Sequence, residues 1–140
     1  MALELREFPG AGDPSYLLPP PSEFLSALRE GRLVLQGCDA CGRLRYPIAP
    51  VCPYCGGEAF AWQELSGRGT VHSWARYHRS YLPEFEPLMP YAVVSVELED
   101  GVRIYGRFAD GGEPEIGLAV QAIAERWPGG QCVHAFARAV

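Results

Sequence analysis

Residues 37–57, GCDACGRLRYPIAPVCPYCGG, carry two Cys-x-x-Cys pairs separated by ten residues, each closed by a glycine. Four soft thiolates at this spacing can reach the corners of one tetrahedron, and Gly42 and Gly56 let the backbone turn its N–H groups toward sulfur. Zinc suits such a donor set best; iron is the competitor, because the segment CPYCG at 52–56 is a rubredoxin-like knuckle. A site made of four protein thiolates has no open coordination position. Cys38, Cys41, Cys52 and Cys55 are therefore expected to hold a structural zinc, one per chain, with no direct part in chemistry. The flanks agree: RLVLQGC reads as a strand entering the first knuckle and FAWQEL as a strand leaving the second, the order of a zinc ribbon.

The rest of the chain is organised around this module. Residues 1–21 hold five prolines, ending in Pro19-Pro20-Pro21, and read as an extended arm. Ser22 has the chemistry of an N-cap, Glu23 suits a first turn, and Phe24, Leu25 and Leu28 recur at helical spacing until Gly31, so one short helix is expected over about 22–30. From Gly67 the period falls to two. Five strands are predicted, TVHSWARYH, YAVVSVEL, VRIYGRF, LAVQAIAERW and CVHAFARA, with Glu99-Asp100-Gly101 and Pro128-Gly129-Gly130 as tight connections. The expected architecture is mainly β: the arm (1–21), a short N-terminal helix with a rubredoxin-like zinc ribbon (22–66), and a five-stranded OB-fold barrel (67–140). An SH3-like barrel or an open sandwich satisfies the same pattern.

Charge and residue chemistry exclude some functions and weaken others. A net charge of −5 disfavours nonspecific nucleic-acid binding, which is driven by cationic contacts to phosphate. No apolar run approaches the roughly 20 residues of a membrane-spanning helix. Glu4, Arg6 and Glu7 interrupt the N-terminus where a signal peptide would be apolar, so a cytoplasmic location with reduced thiols is expected. Cys132 falls in the last strand, where a small buried side chain is the simpler role than a nucleophile. His72 and His78 share a strand parity with Trp74 and Arg76, one candidate ligand face, whereas His134 stands out in no way. Residues 79–91, RSYLPEFEPLMPY, form a long apolar connection that either covers the barrel core or walls an apolar site.

The order of features, LREGRLVLQGC, the knuckles CDACG and CPYCG, SGRGTVHSW, PYAVVSVELEDGVRIYGRF and IGLAV, resembles the domain-of-unknown-function 35 (DUF35) family over about residues 22–138. The resemblance implies a nonenzymatic accessory subunit in lipid and acyl-CoA metabolism, one that binds acyl-CoA or docks onto a thiolase-like (aldolase/thiolase) or enoyl-CoA hydratase partner. A CoA ester asks for arginines on its phosphates, an aromatic face for adenine and an apolar groove for its acyl chain. Arg76, Tyr77 and Arg79 beside the apolar connection, and Arg103, Tyr105 and Arg107 on one strand face, are the candidate ligand surface. Two other functions fit the same residues: an OB-fold that stacks single-stranded nucleic acid on aromatic side chains, and a rubredoxin-like electron carrier.

Overall fold

The computed structural model describes residues 2–18 and 22–139; Pro19, Pro20 and Pro21, where the arm was expected to end, lie outside the described residues. Strand β1 (Leu5–Glu7) is followed by a 3-10 turn, Pro14–Leu17, whose Ser15 N–H is capped by the Asp13 carboxylate. Helix α1 (Glu23–Arg29) begins where Ser22 Oγ accepts the Leu25 N–H and ends before Gly31, at φ +78°. It buries Leu25, Ala27 and Leu28. Its seven residues are too few to be stable alone, so it is held by that packing.

Strands β2 (Leu33–Cys38), β3 (Leu44–Arg45) and β4 (Phe60–Leu65) form an antiparallel sheet in the order β3-β2-β4, the frame of the ribbon. The barrel consists of β5 (Arg68–Tyr77), β6 (Tyr91–Leu98), β7 (Arg103–Arg107), β8 (Ala119–Arg126) and β9 (Cys132–Arg138). Strands β5, β6 and β7 form a meander, β8 pairs β9, and the start of β5 pairs the start of β8. A parallel bridge between Phe108 and Phe136 brings the end of β7 against β9 and closes the barrel. This is the OB-fold that the period-two pattern predicts. Inside the arm, β1 pairs in parallel with Ala124–Arg126, the half of the β8 edge that β5 does not reach.

Alternation decides what goes inside. Val94, Val96, Leu98, Ile104, Val120, Ala122 and Phe136 are all buried, each from the inward position of its strand. Leu28 of α1 and Leu33, Leu35 and Leu44 of the ribbon belong to the same apolar cluster. Helix, ribbon and barrel thus share one core. Each such leucine contributes on the order of 1.5–3 kcal/mol by leaving water.

The joint between ribbon and barrel is aromatic. His134 of β9 is ringed by Phe24 of α1, Tyr46 and Phe136, at centroid separations of 5.6, 6.2 and 6.2 Å. A carbonyl only accepts, so the 2.6 Å contact to the Tyr105 oxygen places the imidazole proton on Nε2. Nδ1 is left buried with no partner. Burial pushes the His134 pKa below the usual histidine value, ahead of the opposing pull of the Tyr105 carbonyl. The folded ring then resists a proton that the unfolded chain takes up near pH 6.5. Below that pH the unfolded state binds more protons, and stability is lost as pH falls through about 6.5. His134→Phe keeps a ring in the joint and should remove this loss. Urea unfolding midpoints at pH 7.5 and 5.5 are expected to lie closer together in the variant than in the native chain; an equal spacing would refute the assignment.

Candidate metal centre and ligand surface

The two knuckles repeat one backbone pattern. In the first, Cys38 N–H donates to Arg43 O and Gly42 N–H to Cys38 O, both at 2.9 Å; in the second, Cys52 N–H donates to Gly57 O at 2.8 Å and Gly56 N–H to Cys52 O at 2.9 Å. Gly42 and Gly56 adopt φ of +77° and +78° with open space where a Cβ would stand. Their left-handed backbone, not crowding, calls for glycine there. Gly57 is the converse: a Cβ on it would meet Ala40, Cys55 Sγ and Cys38 Sγ within 3.3–3.6 Å.

All four Sγ atoms lie within 4.8 Å of one another, with Cys38–Cys55 at 3.6 Å and Cys41–Cys52 at 3.7 Å. A tetrahedral ion with Zn–S bonds of about 2.3 Å separates its sulfurs by about 3.8 Å, so the donor set fits one closed tetrathiolate site. Cys38 and Cys52 are buried, while Cys41 and Cys55 face solvent. The Cys41 N–H aimed at Cys38 outweighs the burial of that thiol and, with the Ala40 N–H, brings its pKa down to about 6.

Four of the six candidate ligand residues divide between two adjoining depressions; Arg79 and Arg103 line neither of them. Arg76 and Arg107 line a cleft of about 400 Å³ with Leu88, Tyr91 and Phe108. Tyr77 and Tyr105 line a shallower groove of about 320 Å³ with Ser73, Ala75, Val93 and Ser95. The two meet where Tyr77 packs on Tyr91, ring centroids 5.3 Å apart, and where Val93 faces Arg107 across the sheet. Most of the arginines already have carboxylates: Arg76 pairs with Glu113, Arg107 with Glu125, and Arg103 with Glu97 at 3.0 Å. The Arg107–Glu125 pair is enclosed, and burial raises the Glu125 pKa despite the opposing charge of Arg107. Among the described residues Arg79 has no such partner and lies 6.0 Å from the Tyr81 ring.

The histidine face does not form. Residues Thr70 and Val71 pair with Glu97 and Val96, but Ser73 and Trp74 pair with Ser95 and Val94, so His72 is the extra residue of a bulge. The face that buries Val71 continues at Trp74 and Arg76, His72 is exposed, and His78 lies beyond the end of β5. In the apolar connection, Phe85 of the 3-10 turn Pro83–Leu88 packs on Phe8, Tyr91 and Trp127, and Leu88 lines the arginine cleft. The segment both covers and lines. The arm holds it there through Ala11 N–H to Glu84 O and Tyr16 Oη to Glu84.

A rubredoxin-like ribbon with one closed tetrathiolate cluster, sharing its core with an OB-fold, defines the class of this molecule. Residues 25–61 match the family description "ChsH2, rubredoxin-like zinc ribbon domain" and residues 62–124 match "ChsH2, C-terminal OB-fold domain". The solved structure "Ltp2-ChsH2(DUF35) aldolase" superposes with a TM-score of 0.74 at 33% identity, over 88% of this chain and 100% of that one. The chain belongs to the DUF35 family.

Similarity extends to curated relatives. A probable enoyl-CoA hydratase alpha subunit of Thermomonospora curvata is 43% identical over 58% of this chain and 25% of its own length. A DUF35 domain-containing scaffold protein of Methanocaldococcus jannaschii is 36% identical over 64% of both chains. The benzoylsuccinyl-CoA thiolase subunit BbsA of Thauera aromatica is 31% identical over 61% of this chain and 59% of that one. The chain thus spans a quarter of the first relative and about three fifths of the other two.

Removal of one thiolate opens the site. Cys52→Ala should cost the ribbon several kcal/mol locally, since structural zinc contributes about 10–16 kcal/mol of apparent binding energy in small ribbons and fingers. Amide signals of residues 33–65 should collapse while those of β5 to β9 persist. A native spectrum across the ribbon would show the metal to be dispensable.

Proposed function

We propose that this chain is an accessory subunit with one structural zinc on Cys38, Cys41, Cys52 and Cys55, docking onto a thiolase-like or enoyl-CoA hydratase enzyme that acts on acyl-CoA thioesters. The observation that carries this reading is the superposition over the whole DUF35 chain of the solved aldolase. Names of relatives support it from three sides: a hydratase subunit, a thiolase subunit and a scaffold protein. When bound, the zinc holds the two knuckles together; with four protein thiolates around it, it offers no position to a substrate. The chain's own contribution is shape, a ribbon and barrel locked on one core and presented to a partner as a rigid body.

For the acyl-CoA itself, the reading assigns the adenine to the groove of Tyr77 and Tyr105, and the phosphates to Arg79, Arg76, Arg103 and Arg107. Exposed Tyr105 supplies a stacking face, and Arg79 is the one of these four arginines without a carboxylate partner among the described residues. The net charge of −5 weighs against the nucleic-acid alternative. A cytoplasmic location follows from this function, and among the described residues no helix is long and apolar enough to cross a membrane. An electron carrier would be red with ferric iron; a colourless preparation with one equivalent of zinc fits the scaffold.

Two measurements test the proposal. Co-expression with the thiolase-like and enoyl-CoA hydratase enzymes of the same genome should yield one complex in which the enzyme gains thermal stability, while the isolated chain turns over no acyl-CoA. Failure of every such enzyme to co-purify, or robust thioester cleavage by the purified chain, would overturn it. Calorimetry with acyl-CoA on the complex should show about tenfold weaker binding for Tyr105→Ala, the scale of one lost base–aromatic stack of about 1–3 kcal/mol. Unchanged affinity would remove the groove from the ligand surface.

A further inference from the structure

Arg45 is the one fully buried charged side chain in the ribbon, at 0% exposure among the described residues, and it pairs with no carboxylate. It belongs to β3, directly opposite Gln36 of β2. Its Nη1 donates to Ala49 O at 3.1 Å, and its Nη2 faces the carbonyls of Gly57, Glu58 and Ala59 at 3.1, 3.2 and 3.4 Å. The guanidinium lies 5.1 Å from the centre of the Phe60 ring. Gln36 completes the clasp, its Oε1 accepting the Ala49 N–H at 2.8 Å.

These contacts surround the second knuckle. Ala49 belongs to the segment that leads into Cys52, and Gly57 to Ala59 form the strand entry that follows Cys55. Gly57 also touches the cluster itself, its N–H 3.4 Å from Cys55 Sγ. One guanidinium therefore ties the chain before the knuckle to the chain after it. Its charge has a second use. Four thiolates around a divalent ion carry a net charge of −2, and a buried cation beside them offsets half of it, in the low-dielectric setting where charges matter most.

We propose that Arg45 is the positioning residue of the metal centre, a buried counter-charge and carbonyl clamp that sets how tightly the second knuckle retains its zinc. The inference rests on the reading of the four cysteines as a zinc site. It adds a residue outside the ligand set, whose conservative replacement by lysine keeps the charge and loses the planar fork. Hydrogen-bonded groups behind metal ligands typically change affinity 10- to 100-fold when removed.

The test uses the full-length chain as purified, with its metal content measured first. Less than half an equivalent of zinc in the native chain would defeat the zinc reading itself, a failure distinct from that of Arg45. With zinc present, its transfer to a chromogenic chelator should be 10- to 100-fold faster from Arg45→Met, and intermediate from Arg45→Lys. Arg68→Met, which removes an exposed arginine of β5 paired with Glu99 outside the ribbon, should release zinc at the native rate. In cobalt-substituted protein, the sulfur-to-cobalt charge-transfer band should shift in Arg45→Met and return toward native in Arg45→Lys, a response that loss of packing alone would not produce. Native release rates in both Arg45 variants would overturn the proposal. If Arg45→Met does not fold, the release rate of Arg45→Lys decides by itself.

Discussion

Four thiols drawn within 4.8 Å of one another are the contact on which the ribbon depends. Strands β2 and β4 pair along six positions, but β3 pairs at only two, and most of the chain from Cys41 to Ala59 runs in turns and irregular backbone. Such a segment loses the conformational entropy of ordering without burying a compensating core. A tetrathiolate bond network replaces that core at a single point. Once the knuckles are tied, the inner face of the ribbon sheet is free to give Leu33 and Leu35 to the barrel.

That gift explains why the molecule behaves as one body. The ribbon and barrel are sequential in the chain, and their join at Leu65–Arg68 is too short to act as a flexible linker. Phe24 of α1, Tyr46 in the bend after β3 and His134 of β9 then close the seam, with Tyr46 Oη and His134 Nε2 both directed at the Tyr105 carbonyl. A strand residue whose outer side chain is a candidate ligand contact thus has its backbone pinned by the ribbon. Any partner or ligand that moves Tyr105 acts on the seam.

The regular parts of this fold were legible because they rest on local periodicity. The Ser22 cap, the helix, the five barrel strands and both glycine turns follow from patterns within ten residues of each feature. What escaped rests on partners distant in sequence. Strand β1 is three residues long, too short for alternation to register, and exists because half of the β8 edge is open. The bulge at His72 shifts parity by one, which no single-strand pattern reveals and which dismantles the histidine face. Arg45 in RLRY looks like any solvated arginine, and only its position opposite Gln36 buries it. His134 is invisible for the same reason, since its cage comes from α1, the ribbon and β9 together.

The arginines show how far residue type alone underdetermines a site. All twelve cations of the chain are arginine, and at the sequence level each is an equal candidate for phosphate. In the fold, at least seven are engaged with carboxylates, several of them bridging segments far apart in sequence, such as Arg126 with Glu7 and Arg6 with Asp110. Exposed pairs of this kind contribute little to stability, about 0–1 kcal/mol each. Their larger consequence is for recognition: an anion arriving at Arg76 or Arg103 must displace a tethered glutamate, whereas at Arg79 it meets no competitor among the described residues. Recognition of a phosphate on this surface is therefore governed less by how many arginines are present than by which of them the fold has left without a partner.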